Sequence, residues 1–303
     1  MSRIAFVFPG QGSQYVGMGK DFYDQSREAR AVFDEADEIL GIRISRICFD
    51  GPEDELRQTK NTQPGIFLHS MVIAKHLSNL HPSMVAGHSL GEYSALTVAR
   101  AMTFEDSLKL VRLRGELMQK AGEESKGTMA AVVGLEPDVV EGLCAEASPA
   151  GIVQPANFNS PGQIVISGSL EGVHKGMDLA KQRGAKLVKE LVVSGAFHSP
   201  LMESAREGLK KKLDETSIRD ATISVYVNVT GEPTTKADEL REMLYRQLTS
   251  PVRWEATVQN MVRDGAERFC EIGPGKVLQG LIKRTVSSSQ VSGFDKYSDL
   301  TEL

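Results

Sequence analysis

The most reactive arrangement in the chain is Gly87-His88-Ser89-Leu90-Gly91. It has the form G-x-S-x-G. It follows a short apolar run, Ser83 to Gly87, and precedes a helix-compatible segment, Glu92 to Ala101. That is the setting of a nucleophile elbow, a sharp strand-to-helix turn that lifts a serine hydroxyl out of the backbone. N–H groups at the start of the following helix then face any oxyanion formed beside the serine. The bland alternative is a glycine turn whose serine only caps the helix. The flanking strand and helix favour the nucleophile.

A serine hydroxyl is a poor nucleophile at neutral pH and needs a base. Six histidines are available. His69, His76 and His81 belong to or end one helical stretch and read as structural or exposed. His174 falls on the outer face of another helix. His88 adjoins Ser89, but a neighbour at an elbow points away from it. His198 is left, in Gly195-Ala196-Phe197-His198-Ser199-Pro200, a loop where two parts of the chain rejoin. Such loops commonly carry function. The competing reading of His198 is a structural residue capping the next helix. No acid between Ser89 and His198 stands out, and the histidine does not come late in the chain as it does in serine esterases. The group orienting its imidazole is therefore expected to be neutral, a backbone carbonyl or an amide.

Pro9-Gly10-Gln11-Gly12-Ser13-Gln14 follows the first apolar run at its carboxyl end, where open α/β sheets bind ligands. It does not match the dinucleotide fingerprint. Its glycines would let a backbone N–H approach a substrate oxygen; an ordinary turn is the equal alternative. Gly273-Pro274-Gly275 reads as a tight turn. Arg114 lies 25 residues beyond Ser89 on the next predicted helix. Two readings are open for it: a solvated surface charge, or a planar fork that grips a carboxylate if it points into a cleft.

These groups need a scaffold. Ile4 to Phe8 is wholly apolar and reads as a buried strand of a parallel sheet. Helical spacing covers 19–40, broken at Gly41, and 65–80, closed by His81-Pro82. Thr103 is the expected N-cap of a helix running to about Ala121, with Glu105 and Asp106 at its positive end. After the hydrophilic break at 122–127 come strand 128–134, helix 137–147, strands 151–159 and 163–168, helix 170–184 and strand 185–193. The order β-α-β-β-α-β is the ferredoxin-like arrangement. Beyond it lie a charged helix to about Glu215, a strand at 224–228, helices at 238–248 and 254–264, a strand at 267–272 and a helix to about Arg284. Roughly the last 15 residues are polar and are expected to fray. Alternating strands and helices on both sides of the insertion predict an α/β fold with a mostly parallel sheet. The large domain would comprise 1–126 and 195–303, with 127–194 inserted as a small domain.

The 303 residues carry 35 basic and 40 acidic side chains, a net charge of −5, which disfavours generic nucleic-acid binding. Hydrophobic residues at 41% and charged residues at 25% describe an ordinary globular protein rather than a disordered one. Cys48, Cys144 and Cys270 are odd in number and far apart. They read as reduced, buried thiols rather than a zinc site or disulfide framework. The Ile4–Phe8 run is too short for a signal peptide, and no stretch approaches a membrane span. The expectation is a cytoplasmic protein with no membrane partner.

The motifs FPGQGSQ (8–14), TQPGIF (62–67), AGHSLGEYSAL (86–96), NFNSPGQIVISG (157–168), AFHSPLM (196–202), YRQLTSPVRW (245–254) and EIGPGKVL (271–278), with the Arg114 helix, together resemble one family over nearly the whole length. It is that of the malonyl-CoA:acyl-carrier-protein transacylases of type II fatty-acid synthesis, related to polyketide synthase acyltransferase domains. The resemblance implies an α/β-hydrolase-like large domain with an inserted ferredoxin-like small domain. It implies Ser89 as the acyl-carrying nucleophile and His198 as base and then acid. Arg114 would pair with the malonyl carboxylate, the N–H groups of Gln11 and Leu90 would form the oxyanion hole, and Gln247 would sit in the site near the histidine or the carboxylate. Phe197 would limit the pocket to malonyl, where related domains for methylmalonyl carry serine. The implied substrates are a coenzyme A thioester and acyl-carrier protein, with no metal or cofactor; a monomer is the simplest assumption for the chain. Lys181, Arg183, Lys186 and Lys189 are a candidate docking patch for an acidic carrier; a plain solvated surface is the alternative. The rival functions are a serine esterase or thioesterase and a non-catalytic carrier-binding module.

Overall fold

The computed structural model describes residues 3–302, so residues 1, 2 and 303 of the expected large domain lie outside the described residues. Ten strands occur in it: β1 (Ile4–Phe8), β2 (Met84–Gly87), β3 (Gly127–Val133), β4 (Val153–Ser160), β5 (Gln163–Ser169), β6 (Leu187–Glu190), β7 (Ser224–Tyr226), β8 (Pro233–Thr234), β9 (Arg268–Ile272) and β10 (Gln290–Phe294). They make two sheets, ordered β10-β9-β1-β2-β7-β8 and β4-β5-β3-β6. The first is parallel except for the β7–β8 pair. The second is antiparallel throughout. The fold is thus α/β with a mainly parallel sheet and a second, antiparallel one.

The continuous apolar run of β1 follows from burial on both faces. Phe6 and Phe8 enter one core cluster, while Ala5 and Val7 enter another with Met84, Ala86, Trp254 and Leu281. Successive side chains of a strand point to opposite faces, so one strand feeds two cores. The small sheet does likewise. Ala130, Val132, Ile164 and Ile166 pack under the helices Pro137–Ala147 and Leu170–Gln182. Met129, Ala156 and Val165 join the main core from the other face. Two backbone bonds tie β4 to the segment before the helix Trp254–Arg263: Phe158 N–H to the Val252 carbonyl, 2.9 Å, and Val252 N–H to the Ala156 carbonyl, 2.8 Å.

Two expectations are corrected, and one span without an expectation is filled. The C-terminal stretch does not simply fray: β10 pairs parallel with β9 at the sheet edge. An edge strand needs only a partly apolar face, which is why its polar sequence concealed it. The helix expected from 65 begins at Thr59 and runs to His76, with Pro64 inside it. Proline leaves the carbonyl four residues earlier without its N–H donor. That carbonyl, Lys60 O, instead accepts Arg112 Nη1 at 2.8 Å. Short helices at Ile44–Asp50 and Glu53–Leu56 fill the span after Gly41, which carried no clear periodicity. Cys48, Cys144 and Cys270 are free and buried, as expected.

β1, β2, β7 and β9 run parallel, so the segments leaving their carboxyl ends gather along one margin of the sheet. Those segments are the Pro9–Gln14 turn, the Ser89 elbow, Asn228 and Gly273.

Candidate active site

β2 ends at Gly87 and the helix Gly91–Val98 begins four residues later. Between them Ser89 takes a φ of 51°, the left-handed strain that characterises an elbow. The two glycines serve proximity. A Cβ on Gly87 would lie 1.9 Å from the Gly91 carbonyl oxygen, and one on Gly91 would lie 2.1 Å from the Phe8 carbonyl oxygen. The elbow is therefore pressed against both itself and the end of β1. Ser89 N–H is taken by Asn228 Oδ1 at 2.6 Å, and Gly91 N–H by the His88 carbonyl at 2.9 Å. Among the described residues, no hydrogen bond is found for the backbone N–H of Leu90, nor for that of Gln11.

Ser89 Oγ lies 2.8 Å from His198 Nε2. His198 Nδ1 is 2.9 Å from the backbone carbonyl of Gln247. Gln247 ends the helix Ala237–Gln247, where carbonyls lack intrahelical donors, so this one is free to accept. The bond places the proton on Nδ1 and leaves Nε2 as an acceptor for the serine proton. The orienting group is neutral, as the missing acid suggested. Burial first, and then the Arg114 charge, hold His198 down to about 3, so its imidazole is a neutral base. Its own φ of 57° is a second strained position.

Arg114 is fully buried, not a solvated charge. Its Nη1 donates to Gln63 Oε1 at 2.8 Å, and its Nη2 to Gln247 Oε1 at 2.8 Å and Ser89 Oγ at 3.0 Å. Its charge sits 5.7 Å from the centre of the Tyr93 ring. Among the described residues all its hydrogen-bond partners are neutral, and its Nε has none. A cation held this way has its carboxylate-gripping fork pre-positioned without an anion in it.

Ser89, His198 and Arg114 line a cavity of about 130 Å³ together with Gln11, Leu90 and Phe197. Met118, Met129, Leu191 and Val193 add apolar walls. An adjoining space of about 210 Å³ shares Gln11, His88, Asn157 and Leu191, and is bordered by Gly10, Gly12, Ser13 and Leu278. A larger groove of about 620 Å³, with Arg43, Arg46, Lys60 and Arg112 on its walls, contains none of the reactive groups. The Gln11 turn is held by Ser13 Oγ donating to the Gly10 carbonyl at 2.8 Å and by Gly12 N–H donating to Gln14 Oε1 at 2.8 Å.

The other histidines stand apart from Ser89 Oγ. His88 bonds Asn159 Oδ1 at 2.9 Å, His69 bonds Asp295 at 3.0 Å and His76 bonds Ser26 at 2.8 Å. His174 lies near Glu190, and His81 is exposed. Lys181, Arg183, Lys186 and Lys189 are exposed and line neither cavity; Lys181 pairs with Asp178 and Arg183 with Glu146. Three contributors were not singled out from the sequence: Gln63, Glu92 and Asn228. Glu92 Oε2 accepts from Asn228 N–H at 2.9 Å and Gln247 Nε2 at 3.0 Å. Asn228 Nδ2 also donates to the Gly87 carbonyl at 2.6 Å. The available signals were an acid directly after the elbow and an asparagine at the end of an apolar run.

The acyl transferase domain family matches residues 5–298. The malonyl CoA-acyl carrier protein transacylase of Bacillus subtilis is 46% identical over 287 residues, covering 94% of this chain and 90% of that protein. The crystal structure of an acyl carrier protein S-malonyltransferase from Vibrio cholerae superposes with a TM-score of 0.96 at 41% identity, covering 99% of each chain. A complex of a type II polyketide synthase acyl-carrier protein with its malonyl-transacylase gives 0.96 at 39% identity, covering 99% of this chain and 98% of that one. Matches of this length and identity, on a chain with a serine–histidine pair at a strained elbow, make it an acyltransferase that belongs to the malonyl CoA-acyl carrier protein transacylases.

Proposed function

We propose that the chain moves a malonyl group from malonyl-CoA to the phosphopantetheine thiol of acyl-carrier protein through an ester on Ser89. The observation that carries this is Ser89 Oγ held at 2.8 Å from a neutral imidazole and 3.0 Å from a buried guanidinium that, among the described residues, has no anionic hydrogen-bond partner. In the first half, His198 Nε2 takes the serine proton as Oγ attacks the thioester carbonyl carbon. The free N–H groups of Gln11 and Leu90 receive the developing oxyanion. The C–S bond breaks, and His198 returns the proton to the coenzyme A sulfur. In the second half the carrier thiol gives its proton to His198 and attacks the ester carbonyl, and Ser89 leaves with that proton. One thioester becomes another, so the reaction as written uses no cofactor.

Arg114 binds the malonyl carboxylate, Gln247 holds both His198 and Arg114, and Phe197 closes the acyl pocket. We read the parallel sheet as the α/β-hydrolase-like domain of 1–126 and 195–303. The antiparallel sheet is the ferredoxin-like domain of 127–194, a reading supported by the strand order. Among the described residues no helix is long and apolar enough to cross a membrane.

Intact-protein mass spectrometry tests the reading. Malonyl-CoA should add one malonyl mass, holo-carrier protein should remove it, and Ser89→Ala should show neither change. An adduct that persists on Ser89→Ala, or one that water discharges as fast as the carrier does, would reject it in favour of another nucleophile or a thioesterase.

A further inference from the structure

Glu92 is fully buried on the first turn of the helix Gly91–Val98, and the transfer above gives it no task. Its Oε2 accepts two N–H groups, from Asn228 and Gln247, while its Oε1 has no partner among the described residues. The Gln247 carboxamide lies between two opposite charges. Its Nε2 faces Glu92 at 3.0 Å, and its Oε1 faces Arg114 Nη2 at 2.8 Å. Burial pushes the Glu92 carboxyl up to about 7, against the downward pull of those two donors and of Arg114.

We propose that Glu92 is the counter-charge of Arg114 in the empty site, and that it takes up one proton on Oε1 when a malonyl carboxylate docks on the guanidinium. The proposal rests on the malonyl-transfer reading. An incoming carboxylate would leave two buried anions sharing one cation. Protonating one of them removes a repulsion that low-dielectric surroundings would magnify. Oε2 must remain an acceptor for its two N–H groups, so Oε1 receives the proton, which comes from solvent. Nothing is oxidised or reduced.

Four other groups around the site carry charge or protons. Arg114, from the helix Phe104–Glu124, stays cationic. Burial raises the Tyr93 phenol, on the same helix as Glu92, so it stays neutral. Burial lowers His88. His198, from the loop before Pro200, is the competitor for the proton, because a carboxylate on Arg114 would weaken the charge that helps to depress it. The sign follows. Below about pH 7 Glu92 is already protonated and binding is pH-independent. Above it, malonyl-CoA affinity should fall by about tenfold per pH unit until the bound-state value is passed.

Calorimetric titration at pH 7 in buffers of different ionisation enthalpy counts the protons. Ser89→Ala is used so that no acylation occurs. Malonyl-CoA should draw in about half a proton per site more than acetyl-CoA, which subtracts the protons of the coenzyme itself. The excess should vanish in Ser89→Ala/Glu92→Gln and survive in Ser89→Ala/His198→Ala. Equal uptake with both thioesters, an excess that survives Glu92→Gln, or one that is lost with His198→Ala overturns the proposal. Should the Glu92→Gln chain fail to fold, the acetyl-CoA contrast and the His198→Ala chain still decide whether Glu92 takes the proton. Ser89→Ala that binds malonyl-CoA with no excess rejects the proposal alone; wild type that never becomes acylated rejects the transfer reading.

Discussion

Arg114 shows what one residue can do when its surroundings are neutral. A buried cation whose direct hydrogen-bond partners are amide oxygens and a hydroxyl keeps its affinity for an anion, because no carboxylate occupies its fork. Arg114→Ala should therefore cost malonyl-CoA far more than acetyl-CoA. The lost hydrogen bonds to a charged group are worth about 1.5–3 kcal/mol each. Competition between the two thioesters measures it, and an equal fall for both would make the arginine structural. Phe197 works by volume instead. It is buried at 6% exposure on the wall of a cavity of about 130 Å³, and on the proposed reading its ring would leave no space for a methyl on the acyl α-carbon. Phe197→Ser should admit methylmalonyl-CoA, shifting the ratio by the roughly 1–3 kcal/mol that one methyl group is worth. A folded mutant with an unchanged ratio would refute the steric role.

At the scale of elements, the elbow is a contact between backbones. β1 ends against the turn that follows β2, and Gly91 is where the two meet. Gly91→Ala should strain this contact by at least the roughly 1–3 kcal/mol of an overpacked core, lowering Tm and acylation rate together. Gly280, in the helix Val277–Thr285, is the control. A Cβ there meets nothing within 4 Å, so Gly280→Ala should raise stability by about 0.5–1 kcal/mol with activity intact. Thermal melts of the two variants decide whether the elbow glycine acts through space or through helix propensity. The N-terminus of that same helix is met by buried Glu271, whose carboxylate accepts Leu278 N–H at 3.0 Å and Gln279 N–H at 3.1 Å. Burial nevertheless pushes Glu271 up to about 7. A raised carboxyl favours the folded state where it is protonated, so this contribution is lost as pH rises from the ordinary carboxyl range through about 7. Wild type should lose more stability than Glu271→Gln between pH 5 and about 8, read by urea unfolding at each pH.

The whole molecule makes the base. His198 is held near 3 because burial among the packed parts of the chain and the Arg114 guanidinium both disfavour its charged form. Acylation by acetyl-CoA, which has no carboxylate to bind, should accordingly show no limb at the ordinary imidazole value of about 6.5. A limb there that persists in Glu92→Gln would mean that His198 is solvated when it reacts. Linkage works in the same direction on stability. Between about 6.5 and about 3 the unfolded histidine takes a proton that the folded one refuses, so stability falls as pH falls through that window. His198→Gln should flatten this part of the pH–stability curve.

Much of the chain's logic was local and could be read directly. The all-apolar β1 run, the alternation of strand and helix, the Thr103 cap and the G-x-S-x-G spacing each depend on neighbours in sequence. Local sterics and burial periodicity determine them. The Thr103 hydroxyl indeed accepts Asp106 N–H at 3.1 Å. What was illegible was non-local. β10 exists because β9 offers it an edge, and a polar sequence gives no sign of that. Whether Arg114 was a surface charge or a buried fork depended on Gln63 and Gln247, residues 51 and 133 positions away. The neutral partner of His198 is a backbone carbonyl, which carries no residue-type signature at all. Sequence by itself determined which groups could react. Tertiary structure alone decided their charges and partners, because burial and the approach of distant chain segments set both.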